Sequence, residues 1–468
     1  MSAPRKNILS NVDWITVLLY LALVIFGYLN IYSAALVEDK PNFYDFSQEY
    51  GKQFWFIVVS LFVALMILYL EADVFSRFSV IIYGIFLFLL GIVLIPGIGQ
   101  TQGGNQAWIN LGVLKLQPAE FAKIGVALLL AKYISSTKAK FNDWKTRVIA
   151  AAIIGIPAVL ILLQPDVGSL LTFVAFTFVL YRAGLSGNVL FVGLGAIVLG
   201  VISVIAGHAT FNYPFYEEKE PTSAIWLAVV IAFILGVLLL AAVRNFVVPR
   251  NRTRLYLIIG ISTVLSCGFM GSVQYIMSDV FKPHQRSRIY VTFGLEEKKK
   301  AEVDQDTGEP ILMPPDEKAK DDDPGYNARM AKMAVANGGL LGQGFMQGPM
   351  TSNKFVPERW TDFIFSVISE EWGFFGSLSV VILFATLIIR LIFLAERQRS
   401  QFSRIYGYGV ASIFMIHFII NIGMVIGLAP IIGIPLPFMS YGGSSLLGFT
   451  MMLFIMLRLD SERLSIFK

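Results

Sequence analysis

Apolar residues in this chain run in blocks of about 20, the length at which an α-helix crosses a bilayer. Windows of such sequence place helices near residues 14–34, 54–70, 78–97, 117–134, 148–163 and 167–183. A second group lies near 189–206, 224–243, 255–277, 372–395, 406–428 and 444–459. The pattern predicts an all-α, polytopic transmembrane bundle of about twelve helices, a single membrane domain over 1–468. One polar stretch is far longer than the others, residues 278–361. A loop of that length is functional or disordered. Its centre, 296–322, is rich in Lys, Asp and Glu and reads as a flexible insertion. Its flanks, 281–293 and 324–361, carry aromatics and glycines and read as an ordered frame. No repeat of fixed period is visible, which counts against an inverted-repeat transporter.

Charge orients the bundle. Arg5 and Lys6, Lys138 to Arg147, Arg182, Arg244 to Arg254, Arg397 to Arg404, and Arg458 to Lys468 all fall on one side if every block crosses once. By the positive-inside rule that side is cytoplasmic, with both termini on it, and 278–361 faces outward. Composition agrees: 56% of residues are hydrophobic and 15% charged, against roughly 25% charged in soluble domains. The net charge of +5 is spent on these topogenic clusters, so nucleic-acid binding is rejected. Cys267 is the only cysteine, so no disulfide forms within the chain. The block at 14–34 is too long for a cleaved signal sequence and reads as a retained helix.

Polar groups at membrane depth are costly and call for a use. Trp108 and Asn110 precede Gln117, Pro118, Glu120 and Lys123, and Lys123 lies nearly a turn inside an apolar block. Glu120 and Lys123, three apart, share a helix face; the plain alternative is a helix-start ion pair. Asp166, in Gln164-Pro165-Asp166-Val167-Gly168-Ser169, reads either as an N-cap or as a functional acid. Arg286 and Arg288 lie on the outer side, against the positive-inside bias, and suit phosphate oxygens or a rim ion pair. Asn337 to Gly344 is glycine-rich, but no Lys-Ser/Thr follows, so tight turns at the membrane surface are expected instead of a phosphate loop. A further polar cluster runs from Pro357-Glu358-Arg359-Trp360-Thr361-Asp362-Phe363 to Glu370-Glu371-Trp372-Gly373. His208, His284 and His417 are the only histidines and lack metal-ligand spacing; a divalent cation such as Mg or Mn held by carboxylates of the long loop is left open.

Four stretches resemble one family. Gln117-Pro118-Ala119-Glu120-Phe121-Ala122-Lys123 resembles the Q-P-S-E-x-x-K element of the SEDS proteins (shape, elongation, division and sporulation), and Gln164 to Ser169 resembles their Q-P-D-x-G-T/S turn. Phe355 to Gly373 is similar to L-P-E-x-x-T-D-F-I-F followed by E-E-x-G. Pro435-Leu436-Pro437-Phe438-Met439-Ser440-Tyr441-Gly442-Gly443-Ser444-Ser445 is similar to P-L-P-x-x-S-Y-G-G-S-S. They stand in family order along the whole chain, and Pro283 to Ile289 resembles the RodA branch more than the FtsW branch.

The resemblance implies a peptidoglycan glycosyltransferase of cell elongation that polymerises lipid II on the outer face of the cytoplasmic membrane. It implies a class B penicillin-binding protein and other elongation-complex membrane proteins as partners. The family's catalytic acid lies in a D-P-x-G-x-G-Y element, contracted here to Asp323-Pro324-Gly325-Tyr326, so Asp323 is the expected base, with Asp322 and Asp321 as alternatives. Lys123, Arg286 and Arg288 are expected on the pyrophosphate, with Glu120 orienting Lys123. Gln117, Trp108, Asp166, Glu358, Asp362, Ser440 and Tyr441 are expected around the substrate. The family fold has about ten spans, and 224–277 looks like an extra pair. Two other classes remain at this point, a lipid II flippase and a non-catalytic scaffold for the penicillin-binding protein.

Overall fold

Helices follow the apolar blocks because only a helix satisfies its own backbone hydrogen bonds in lipid. The computed structural model describes residues 11–35, 46–102, 105–110, 112, 115–136, 143–211, 222–246, 249–280, 290, 324–352, 355–356, 358–429 and 432–463. The chain opens with α1 (Trp14–Ala35), α2 (Glu49–Tyr69), the short α3 (Ala72–Arg77) and α4 (Ser79–Val93). Next come α5 (Pro118–Ser136), α6 (Trp144–Leu163), α7 (Val167–Thr172) and α8 (Ala175–Arg182), the last two making together one short apolar helical stretch, and α9 (Gly187–His208). α10 (Ile225–Phe246) and α11 (Pro249–Tyr275) follow. After the long loop stand α12 (Pro324–Asn337), the single turn α13 (Pro349–Ser352), α14 (Ile364–Glu396), α15 (Gln401–Ile426) and α16 (Gly443–Ser461). Eight helices among the described residues are long and apolar enough to cross a membrane.

Three local features depart from the apolar pattern. Residues 99–116, expected as loop, form a small antiparallel sheet of β1 (Gly99–Gln102), β2 (Asn105–Asn110) and β3 (Lys115–Leu116). In its register Gln100 faces Trp108 and Ile109 faces Leu116. A two-residue hairpin, β4 (Thr210–Phe211) with β5 (Thr222–Ser223), is the other sheet. α14 begins eight residues before the apolar block at 372, because Gly373, at φ 65 and ψ −159, lets the chain turn within the helix. Only glycine takes that backbone without strain.

The chain divides into two compact units, one of Met1–Ser186 with Asn327–Lys468, the other of Gly187–Tyr326. In the first, α5 is central, touching α4, α6, α15 and α16. Every residue from Pro118 to Leu128 is buried. A helix covered on all sides belongs to a core, yet this one carries Glu120, Lys123 and Lys132. Lys132 reaches the end of α3, donating to the Ser76 carbonyl at 2.8 Å. The second unit holds α9, α10 and α11, and the Ser203 hydroxyl ties α9 to α11 by donating to the Met270 carbonyl at 2.9 Å. Cys267 lies half-buried, its sulfur 3.9 Å from the Val229 carbonyl. The long apolar rows exposed on α10 and α11 are what a lipid-facing helix presents.

Arginines tie together one end of the first unit, where α1 and α15 begin and α14 and α16 end. Arg390 grips Asp13 with two nitrogens, at 2.5 and 3.1 Å. Arg397 grips Asp460 with two nitrogens, and Asp460 also accepts from Gln398 at 2.7 Å and Arg463 at 2.9 Å. Burial alone would raise the Asp13 carboxyl, but hydrogen bonds from Arg390 and Thr16 overcome it and bring the pKa down to about 2.

Candidate functional site

At the opposite end of the same unit, α5, α7, α15 and α16 meet the turns at 358–363 and 432–442. Pro118 sits in the first turn of α5, where its missing N–H costs nothing, and the preceding Gln117 is held from two sides. Its backbone N–H donates to the Ser444 hydroxyl at 3.1 Å, and that hydroxyl donates to the Lys115 carbonyl at 2.7 Å. Its side-chain amide donates to Asp166 at 2.9 Å and approaches the Ser169 hydroxyl at 3.3 Å. Asp166 accepts the Ser169 N–H at 3.0 Å and its hydroxyl at 2.7 Å. It is therefore an N-cap and also the acid that receives Gln117.

One turn and two turns further along α5 lie Glu120 and Lys123. The Lys123 ammonium donates to Glu120 at 2.8 Å, lies 2.9 Å from His417 Nε2 and stands 5.1 Å from the Phe449 ring centre. Lys123, Glu120 and His417 are each at most 1% exposed. The Pro435 carbonyl lies 3.1 Å from His417 Nδ1, so Nδ1 carries the hydrogen and the Nε2 lone pair faces Lys123. The second Glu120 oxygen has no partner among the described residues. Lys123 is thus sealed by protein on every side, and in this structure it meets Glu120, His417 and Phe449 instead of an open cavity.

Four residues along α15, Asn421 donates to the carbonyls of Asp362 at 2.8 Å and Ile434 at 2.7 Å. His417 and Asn421 therefore fasten the 432–435 turn to α15. Gly168 packs so closely on this turn that a Cβ there would lie 2.8 Å from the Ile432 carbonyl oxygen, and a Cβ on Gly433 would lie 3.0 Å from the Asp362 carboxylate. The half-buried Asp362 carboxyl thus lies over Gly433. Desolvation, then the charges of Glu358 and Asp166, push its pKa up to about 7. Asp362 belongs to none of the ion pairs among the described residues. Glu358 holds a left-handed backbone, φ 47, a strained conformation for a residue with a Cβ. It accepts the Thr361 hydroxyl at 2.7 Å.

Ser440 is buried and its hydroxyl accepts the Leu436 N–H at 2.8 Å, bracing the turn. The Tyr441 N–H donates to the Trp360 carbonyl at 2.8 Å. Burial and the neighbouring Glu49 raise the Tyr441 hydroxyl above its ordinary range. Trp108 lies half-buried on β2. Asp321, Asp322, Asp323, Arg286 and Arg288 lie outside the described residues, as do all of 296–322 and the flank 281–289. Among the described residues no three His, Cys, Asp or Glu side chains are placed to hold a metal ion.

Sequence reasoning gave no role to four residues. His417 and Asn421 stand four apart inside an apolar block, one face of a helix, and that spacing was the available signal. Arg359 is buried, donates to the Ala34 carbonyl at 2.8 Å and lies 4.7 Å from the Trp360 ring centre. It has no carboxylate partner among the described residues. Glu370 closes the start of α13, accepting the N–H groups of Met350 at 2.8 Å and Thr351 at 2.9 Å. The expected glycine turns are present: Gly339, Gly342 and Gly344 have φ of 54, 84 and 104. Gly342 presses on the Glu371 backbone, where any Cβ would clash.

The profile of the FtsW, RodA and SpoVE cell cycle proteins matches residues 13–216 and 309–464. This chain is 28% identical over 442 residues to the peptidoglycan glycosyltransferase RodA of Treponema pallidum (strain Nichols), covering 93% of this chain and 94% of that one. It is 26% identical over 441 residues to the peptidoglycan glycosyltransferase MrdB of Escherichia coli (strain K12), covering 93% and 90%. A chain solved in a peptidoglycan synthase complex that coordinates polymerization and crosslinking superposes with a TM-score of 0.63 at 24% identity, over 97% of this chain and 98% of that one. The profile passes over 217–308, the stretch that holds α10 and α11. With the family motifs gathered at one end of the first unit, this chain belongs to the FtsW, RodA and SpoVE family of cell cycle proteins.

Proposed function

We propose that this protein is a peptidoglycan glycosyltransferase that polymerises lipid II during cell elongation. The observation that carries the reading is the joining of all four family stretches into one network: Gln117 to Asp166, Lys123 to His417, Asn421 to Asp362, and Tyr441 to Trp360. Lipid II brings its own activation as a pyrophosphate leaving group. The protein must hold that group, take a proton from the acceptor hydroxyl, and align the two sugars.

An acid of the run Asp321 to Asp323 is the general base in this reading, directly before α12. Arg286 and Arg288 hold the pyrophosphate in this reading. Lys123 acts from within: its ammonium neutralises Glu120 and fixes His417, and so sets the position of the turn at 432–435. The motif end faces outward, both termini lie in the cytoplasm, and the membrane is the cytoplasmic one, as the arginine-rich opposite end supports. A class B penicillin-binding protein is the partner, with other membrane proteins of the elongation complex.

The test is incubation of the purified full-length chain with lipid II in detergent, with and without the transpeptidase, followed by gel separation of glycan strands. Polymer from the wild type, absent from Asp323→Ala, Asp322→Ala or Asp321→Ala, supports the reading and identifies the base. Transfer of lipid II across vesicles with no polymer under any condition would replace the enzyme with a flippase. Parallel reactions with EDTA and with added Mg or Mn test for a divalent cation held by the loop carboxylates.

A further inference from the structure

The arginine-rich end contains a cavity that the proposed chemistry does not use. It measures ≈ 210 Å³ and is lined by Val179, Arg182 and Ala183 at the end of α8 and by Arg399, Gln401, Arg404, Ile405 and Tyr408 around the start of α15. Its volume admits several waters or one phosphate group. The walls divide by chemistry: three guanidinium groups on one part, and the apolar surfaces of Val179, Ala183 and Ile405 on the other.

Charge inside it is unevenly matched. Arg182 donates to Glu396 at 2.7 Å and to the Tyr408 hydroxyl at 2.9 Å, and the same hydroxyl bonds Glu396. Glu396 is thereby engaged by Arg182 and Tyr408. Arg404 donates from one terminal nitrogen to the Gln398 carbonyl at 2.8 Å, while its Nε is buried with no hydrogen-bond partner among the described residues. A buried guanidinium N–H left unmade costs roughly 1–3 kcal/mol, so the site is arranged for an acceptor. The cavity also adjoins the first turn of the 26-residue α15, whose dipole favours an anion there.

We propose that this cavity binds the phosphate of an anionic phospholipid from the leaflet on the arginine-rich side. The arginines would take the phosphate oxygens in their planar forks, and the apolar wall would receive the start of the acyl chains. A basic pocket between helices at a membrane surface is a recurrent setting for such headgroups. Its position at helix ends places it at headgroup depth.

The test uses full-length protein, purified in detergent and stripped of lipid. It is titrated with dioctanoyl phosphatidylglycerol, dioctanoyl phosphatidylcholine or inorganic phosphate, and binding is read by native mass spectrometry and by thermal unfolding. Phosphatidylglycerol is expected to bind and to raise the unfolding temperature, with R399Q/R404Q weakening its apparent affinity at least tenfold. Should that variant fail to fold, Q401E places a negative charge at an exposed position of the same wall and is expected to weaken binding similarly. Equal binding of phosphatidylcholine, or unchanged affinity in the variants, would overturn the proposal. Equal protection by inorganic phosphate would overturn the lipid as its source.

Discussion

Asp13 and Asp362 lie at opposite ends of one compact unit, and their surroundings treat a carboxylate in opposite ways. Asp13 receives two guanidinium nitrogens and the Thr16 hydroxyl, and titrates down at about 2. Asp362 sits over Gly433 with two other acids nearby, and titrates up at about 7. The contrast extends to their neighbours. Asp460 is saturated by Arg397, Gln398 and Arg463, whereas Glu120, Glu371 and Asn421 each keep a buried oxygen with no partner among the described residues. The arginine-rich end satisfies its carboxylates and holds helices together, its buried atoms without a partner among the described residues being Gln398 Oε1 and Arg404 Nε. The other stores unmet polar demand, as sites that bind a charged ligand do.

The largest effect is expected at Lys123. Lys123→Met strands Glu120 in the core of α5, and breaking a buried pair by removing one partner costs about 3–5 kcal/mol. Thermal unfolding in detergent should show that loss, and polymerisation should disappear. Adding Glu120→Gln to make a double variant should restore most of the stability and none of the activity. If the double variant polymerises at the wild-type rate, the pair is merely structural and the contrast between the two ends fails.

Asp13→Asn comes next. The depressed pKa means that ionised Asp13 stabilises the fold at neutral pH, and that this contribution is lost as pH falls from about 4 to about 2. At one pKa unit per ~1.4 kcal/mol, the expected loss at pH 7 is about 2–3 kcal/mol. Denaturation across pH 2–7 should show wild type and variant converging at the acid end. Activity per folded molecule should stay within a few-fold of wild type; a greater loss would mean that the arginine-rich end shares in the chemistry.

Asp362→Asn should do the reverse. A raised pKa means that the folded chain holds the proton more tightly than the unfolded one, so stability falls as pH rises from about 4 to about 7. The amide removes that penalty, and above pH 7 the variant should be the more stable by on the order of 1–2 kcal/mol, a value discounted because part of the group meets water. Below pH 4 the two should coincide. Polymerisation by the variant should fall, and should lose the inflection near pH 7 if Asp362 causes one. A variant less stable than wild type at pH 8 would show that Asp362 is ionised and paired there.

Much of this was legible in the sequence, for reasons that can be stated residue by residue. Apolar blocks of spanning length must be helices, so the helices could be placed within a few residues. Among the described residues eight, not twelve, are long and apolar enough to cross a membrane. Glu120 and Lys123 announced themselves as charges three apart in apolar surroundings, and they pair. The sheet at 99–116 was not legible, because Gln106-Ala107-Trp108-Ile109-Asn110 is too short to establish a strand period. The start of α14 at Ile364 was hidden by Glu370 and Glu371, which read as loop until the structure gives Glu370 the N–H groups of α13. Nor could local sequence pair Lys123 with His417, 294 residues away; such contacts depend on how α5 and α15 pack.

That pairing supports the smallest and most selective expectation. His417 joins the Lys123 ammonium to the Pro435 carbonyl, accepting on one nitrogen and donating from the other. Glutamine also has one acceptor and one donor group at its end, so His417→Gln can keep both contacts and should cost about 1 kcal/mol, the centre of the range for point substitutions. His417→Leu keeps the volume but offers neither, leaving a buried carbonyl and part of an ammonium unmet at roughly 1–3 kcal/mol. If His417 positions the turn for substrate, the leucine variant should raise KM for lipid II or lower kcat beyond what its unfolded fraction explains, and glutamine should rescue both. If histidine itself moved a proton, glutamine would rescue stability alone. Steady-state kinetics of the two variants on matched folded protein separate a positioning residue from a proton carrier, and so decide whether the buried network beneath Asp362 is a frame for the site or a part of its chemistry.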